Sequence, residues 1–279
     1  MNFRRIEWIF LVGFIMIDIF LFVAFQHDRT SQLTSQTSKS SNANITVVRE
    51  MKNDSISLPK LSTEEDDGYY ISATADPDLR SELGTLQGQT ARLDDAKNII
   101  STFKNNITVN RKSPEKVLDT VVDNPVNILH GDEYQYSQQL SSTNTVVYVQ
   151  QVTGGNVMSR AGEIRFSLND NGNVLGYSQG YLANVKTLRE RATIISQEKA
   201  LSWLYQYNQI PNNAKVKWAK LGYTQYFTLK NASIYIPTWM VEIKMESGST
   251  TLKKVNAFTG AIMSDSSDGD AKTTDTTTS

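Results

Sequence analysis

The chain has 279 residues and nearly balanced charge, 28 Lys plus Arg against 29 Asp plus Glu, for a net of −1. That balance offers nucleic acid no electrostatic footprint, and no basic block with interleaved aromatics supplies one. With no cysteine and only His27 and His130, disulfides, thiol nucleophiles, iron–sulfur clusters and zinc ribbons are excluded, as is every two-histidine metal motif that does not recruit His27.

Residues 8–25, WIFLVGFIMIDIFLFVAF, form an apolar run interrupted only by Asp18. At 1.5 Å per residue a helix of that length spans roughly 27 Å, close to the hydrocarbon thickness of a bilayer. The run is longer than the h-region of a signal peptide, and Val23-Ala24-Phe25-Gln26 offers no small-x-small cleavage site, so it reads as an uncleaved anchor. Arg4 and Arg5 precede it while Arg29 and Lys39 follow, so positive charge alone does not orient it. The long polar remainder without a second span places the N-terminus in the cytoplasm and the bulk of the chain outside. A carboxylate inside a span costs about 2.5 to 3.5 kcal/mol and usually faces protein or water. Asp18 is therefore expected to meet a polar or basic group on another transmembrane helix. Leu11, Phe14, Ile15, Leu21, Phe22 and Phe25 surround it on the same helical face.

Residues 26–44 are rich in Ser, Thr, Gln and Asn and read as a flexible linker. Residues 45–48 suit a short edge strand, and the acidic run 64–67 a solvated loop. From Pro77 the pattern turns helical, with Leu93, Ala96, Ile99, Ile100 and Phe103 on one face. A second helix is announced by Ser113-Pro114-Glu115, read as N-cap, N1 proline and first-turn acid; it carries Val117, Leu118, Val121 and Val122 and stops at Asn124-Pro125.

The period then becomes two. Residues 145–152, TVVYVQQV, form a strand broken by Gly154-Gly155. In residues 163–168 Ile164, Phe166 and Leu168 alternate with polar partners, Asn169-Asp170-Asn171-Gly172 turns, and 174–179 returns, which makes a hairpin. A third helix begins at Ser196 as N-cap, presents Ala200, Leu201, Leu204 and Tyr207, and ends before Pro211. Strands follow at 216–223, 226–229, 235–245 and 250–258; in the strongest, Trp239, Val241, Ile243 and Met245 share a face. Thr259-Gly260 turns the chain into Ala261-Ile262-Met263. The tail, 264–279, has nothing to bury and is expected to be disordered.

Helices followed by antiparallel strands, twice over, read as an α+β fold: an N-terminal transmembrane helix followed by a two-lobed extracellular domain of antiparallel sheets with packed helices. The expected boundaries are 1–7 cytoplasmic, 8–25 transmembrane, 26–44 linker, 45–185 first lobe, 186–263 second lobe and 264–279 tail. The two lobes share an order of helix, meander and glycine turn, a weak sign of duplication.

Chemistry finds little foothold. Ser-x-x-Lys occurs at Ser101/Lys104, Ser113/Lys116 and Ser196/Lys199, a background rate in a chain this rich in both residues, with no Lys-Thr-Gly and with Ser113 and Ser196 serving as caps. Gly84-x-x-x-Gly88 lacks the strand and lysine of a phosphate cradle. His130 has Asp132 and Glu133 beside it for a dyad, but reads better as a hydrogen-bonded loop residue. The tryptophans, Trp8, Trp203, Trp218 and Trp239, suit membrane interface or core. No catalytic residue, metal or cofactor is expected.

Three segments resemble the YycI (WalI) family: the opening RRIEWIFLVGFIMIDIFLFVAF, the middle YVQQVTGGNVMSRAGEIRFSLNDNGNVLGYSQGYL and the end IYIPTWMVEIKMESGSTTLKKVNAFTGAIM. The order of anchor, hairpin, helix, Pro-x-Trp strand and Asn-Ala-x-Thr-Gly turn carries the likeness. The last part also looks like PepSY-type modules. The resemblance implies a non-enzymatic, single-pass regulator of the YycFG (WalRK) cell-wall two-component system. Its partners would be a YycH-like protein and a WalK-type sensor histidine kinase, and Asp18 matches the polar position of the family's span. The alternative reading is an extracytoplasmic module that binds a wall fragment or peptide between its lobes.

Overall fold

The structure is a computed structural model and describes residues 14, 16–18, 46–76, 79–95, 97–188, 191–229 and 232–264. The chain divides into two compact units, Met1–Asn53 and Asp54–Ser279. In the first, Phe14 and residues 16–18 are helical and exposed, and a helix, α1, runs over 46–53. The edge strand expected at 45–48 is thus corrected: Val47 and Met51, four apart, are both buried, the spacing of a helical face. The expected span at 8–25 lies almost wholly outside the described residues, as do the linker at 26–44 and all of the tail but Ser264. Among the described residues no helix is long and apolar enough to cross a membrane.

The second unit is mostly antiparallel sheet with few helices. Its first strands are β1 (Asp66–Gly68) and β2 (Ile71–Ala75). The acidic run expected as a loop contributes to β1, where Arg191 pairs with Asp67 at 3.3 Å and Asp66 at 3.8 Å. After a single helical turn, Leu79–Glu82, the helix expected from Pro77 gives way to a hairpin of β3 (Gln89–Leu93) and β4 (Ile99–Phe103). Asp94 makes the turn: its Oδ1 accepts from the backbone N–H of Asn98 at 2.7 Å, and Lys97 takes a left-handed φ of 63°. Ile99 and Ser101 are buried while Thr102 is exposed, so the true period is two. The apparent helical stripe was a coincidence of spacing in β-branched sequence, and its Ala96 lies outside the described residues.

Helix α2 (Glu115–Val122) buries Leu118, Val121 and Val122 as expected, while Val117, expected with them, is exposed. Its N-cap is Pro114, and Ser113 makes no cap; the entry is instead closed by Asn110, whose carbonyl accepts from the Ser113 N–H at 3.0 Å. Then come β5 (Tyr134–Ser137), β6 (Thr145–Val152), β7 (Gly155–Asn156), β8 (Glu163–Leu168) and β9 (Val174–Gln179). The seven-stranded sheet runs β3-β4-β9-β8-β6-β5, with β7 folded back on β6. Its core joins the inward residues Ile99, Val146, Tyr148, Ile164, Phe166 and Tyr177 to Leu118 and Val122 of α2 and to Ile128 of the following loop. Each side chain of this size removed from water contributes about 1.5 to 3 kcal/mol.

The rest comprises β10 (Leu182–Thr187), β11 (Ala192–Ile194), α3 (Gln197–Gln206), β12 (Lys215–Thr228), β13 (Ser233–Lys244), β14 (Thr250–Asn256) and β15 (Ile262–Met263). Ser196 caps α3 as expected, its Oγ accepting from the Lys199 N–H at 3.3 Å; Tyr207, expected on the buried stripe, is exposed. The two strands expected at 216–223 and 226–229 are one strand, β12, with an irregularity between Gln225 and Phe227 that leaves Tyr226 without a partner in the register.

Sheet membership does not follow chain order. The six-stranded sheet runs β10-β2-β13-β14-β15, with β12 on the other edge of β13. One edge of β13 pairs with β2 through Ser233, Ile234 and Tyr235, and with β14 from Thr238 onward. Pro237 stands between these partners. Its carbonyl accepts from the Ala257 N–H at 2.9 Å, so the donor it lacks falls on the edge where one neighbour ends and the other begins.

Candidate functional site

Of the transmembrane face expected to bind a partner, Phe14 and Asp18 are described: both are helical and exposed, one turn apart. Leu11, Ile15, Leu21, Phe22 and Phe25 lie outside the described residues.

Within the second unit a cleft of about 550 Å³ opens beside the six-stranded sheet. Thr74 and Ala75 of β2, Leu182 of β10, Gln225 of β12 and Ser233 and Tyr235 of β13 line it. Asp95, Lys97, Asn98, Ser159, Arg160 and Tyr181 line it as well, so charges of both signs face a mixed polar and apolar space. Leu229, half exposed at the end of β12, stands at its rim with the exposed Tyr226 and Phe227 nearby in sequence.

Tyr181 joins this cleft to a cluster of ionisable groups. Its ring stacks on His130 with centroids 4.2 Å apart and planes 8° from parallel. Its hydroxyl donates to Glu133 Oε1 at 2.8 Å, and Glu133 Oε2 accepts from Gln150 Nε2 at 3.1 Å. The Gln150 amide also bridges both backbone groups of Leu182, donating to its carbonyl at 3.0 Å and accepting from its N–H at 2.9 Å. Burial, and then the bond to the Glu133 carboxylate, pushes the Tyr181 phenol well above its ordinary range; Asp76 and Glu82 push in the same direction.

The sequence-adjacent acids are therefore not the partners of His130. Asp132 is exposed, Glu133 is engaged by Tyr181 and Gln150, and His130 Nε2 meets Glu82 Oε2 at 3.1 Å and Asp76 Oδ2 at 3.8 Å. His130 is the hydrogen-bonded loop residue expected, with Glu82 rather than an adjacent acid as its partner. His130 adopts a left-handed φ of 51°, which turns its side chain off the path of the following turn and toward the end of β2. Asp76, Glu82 and His130 each offer one ligand atom, all within 4.8 Å of one another. No local spacing in the sequence announces this trio, because three separate segments supply it.

The Ser-x-x-Lys serines have structural work. Ser101 Oγ donates to buried Gln89 Oε1 at 2.6 Å, Ser196 caps α3, and Ser113 belongs to the Asn110 turn.

Comparison with known proteins gives three findings. The family model described as YycI protein matches residues 34–258. No curated protein matches the chain. The crystal structure of an uncharacterized protein from Eubacterium rectale ATCC 33656 aligns over 76% of this chain and 91% of that one, at 12% identity and a TM-score of 0.43.

Proposed function

The chain belongs to the YycI family, whose members act as non-enzymatic regulators of the YycFG two-component system, and from that premise we propose a single-pass regulator held at the cell membrane by residues 8–25. Its N-terminus is cytoplasmic and its folded part lies outside. It associates with a sensor histidine kinase of WalK type and a YycH-like companion, and shifts the kinase between signalling states through helix packing in the bilayer. The observation that carries this reading is Asp18, a carboxylate within an 18-residue apolar run of a chain whose residues 34–258 match the family. The strand-rich region 186–263 is read as PepSY-like.

Replacing Asp18 by Leu removes the polar contact while leaving the span more apolar. Asp18→Leu is expected to lower co-purification with the kinase severalfold from membranes, with the unit from Asp54 onward still folded by circular dichroism. Association at the wild-type level would remove Asp18 from the account. A second reading rests on the cleft of about 550 Å³, which has the size and mixed lining of a peptide or wall-fragment site. On that reading recognition belongs to the outer unit and survives replacement of the span.

A further inference from the structure

We propose that Asp76, Glu82 and His130 form a binding site for a first-row divalent transition-metal cation of the Zn²⁺ class. Asp76 follows directly on β2, Glu82 ends the single turn Leu79–Glu82, and His130 precedes the turn that leads into β5. Their side chains are 13%, 35% and 30% exposed, open enough to admit an ion and sheltered enough to hold a geometry.

The distances are those from which a shared cation can be held. Donors bound tetrahedrally at about 2.0 to 2.1 Å stand about 3.3 to 3.4 Å from one another. Here Nε2 lies 3.1 Å from Glu82 Oε2 and 3.8 Å from Asp76 Oδ2, and the three atoms lie within 4.8 Å of one another, so rotation of the carboxylate side chains closes the set on one ion.

The surroundings orient the imidazole. The Tyr181 ring fixes its plane, and Glu133 fixes Tyr181 through a 2.8 Å bond. Asp76, Glu82 and Glu133 all push the Tyr181 phenol upward, as carboxylates close by do. One imidazole with two carboxylates suits Zn²⁺, Co²⁺ or Mn²⁺, whereas Mg²⁺ and Ca²⁺ prefer oxygen alone. A cation here ties the end of β2, in the six-stranded sheet, to the entrance of β5, in the seven-stranded one.

The test is Zn²⁺ titration of the purified full-length protein in detergent by calorimetry, with thermal unfolding alongside. One Zn²⁺ per chain is expected, with Mn²⁺ weaker and Mg²⁺ unable to compete, and with a raised unfolding midpoint. His130→Asn suits the left-handed backbone and, with Glu82→Gln, should weaken binding by at least about tenfold and abolish the thermal shift. His27→Ala, which alters the chain's other histidine, should change neither. The proposal is overturned if Zn²⁺ does not bind at millimolar concentration, if His130→Asn binds as wild type, or if Mg²⁺ displaces Zn²⁺ at equal concentration.

Discussion

Tyr134, Tyr148 and Tyr177 stand in the core of the seven-stranded sheet, and each carries its hydroxyl to a fixed acceptor. Tyr134 donates to the Gly180 carbonyl at 2.5 Å, Tyr148 to Asp119 Oδ1 at 2.6 Å and Tyr177 to Gln89 Oε1 at 3.0 Å. Burial is the largest cause that raises all three above the ordinary 10.0, because a phenolate there would lose its water. The native state keeps these protons where the unfolded chain releases them. Stability is therefore independent of these groups below about pH 10 and falls as pH rises above it, by about 1.4 kcal/mol per pH unit for a fully buried phenol. Tyr134→Phe is expected to flatten that fall by about this amount in urea unfolding followed from pH 9 to 11.5, at the cost of about 1 kcal/mol at neutral pH from the lost hydrogen bond. An unchanged alkaline slope would mean that Tyr134 ionises while folded.

Residue roles were legible in the sequence where they are local. Ser196 could be read as a cap because the capped N–H lies three residues away. His130 could not be paired correctly, since its partner Glu82 lies 48 residues earlier and nothing in the intervening spacing encodes the approach. Ser113 misled for the opposite reason, as Asn110 reached the same turn first.

At the scale of elements the hairpin of β8 and β9 is the plainest reading. Ile164, Phe166 and Leu168 are buried as the alternation requires, and the turn closes with Gly172 N–H on the Asn169 carbonyl at 3.0 Å. The hairpin of β3 and β4 was hidden because five apolar residues fell by chance at helical intervals, and the turn signal of Asp94 was weaker than that stripe. In β13 the alternation predicts one buried face, yet Ile234, Ile236 and Met240 are buried as well as Tyr235, Val241 and Ile243. A strand covered on both sides loses its period, so the sequence understates its centrality.

The turn from β14 to β15 makes an element-scale prediction. Gly260 has φ of 73°, its N–H donates to the Asn256 carbonyl at 2.7 Å, and a Cβ there would overlap the Trp203 indole of α3. Gly260→Ala combines left-handed strain with overpacking and is expected to destabilise by at least about 2 kcal/mol in chemical denaturation. An unchanged midpoint would show that Trp203 swings aside and that α3 is not fixed by this contact.

For the whole molecule, the α+β composition and the antiparallel character are legible from periodicity, and the assembly of the sheets is not. β13 takes Thr238–Lys244 to β14, its neighbour in sequence, but gives Ser233–Tyr235 to β2, which arrives from residues 71–75 with β10 beside it. Hydrophobic alternation fixes which face a strand presents, not which distant strand it meets. The same limit applies to function. Composition argued against nucleic acid and thiol chemistry, the apolar run at 8–25 with its carboxylate is read as a membrane span, and the family supplies the regulatory role.

The central claim is that the native span carries the association. The direct measurement is co-purification of the full-length protein with the sensor kinase and its companion from membranes, beside a chain in which residues 8–25 are replaced by an unrelated span of equal length. Loss of both association and the protein's effect on kinase output in the replaced chain is the predicted result. Association and output that survive the replacement would contradict it, and would move recognition to the unit from Asp54 onward and its cleft.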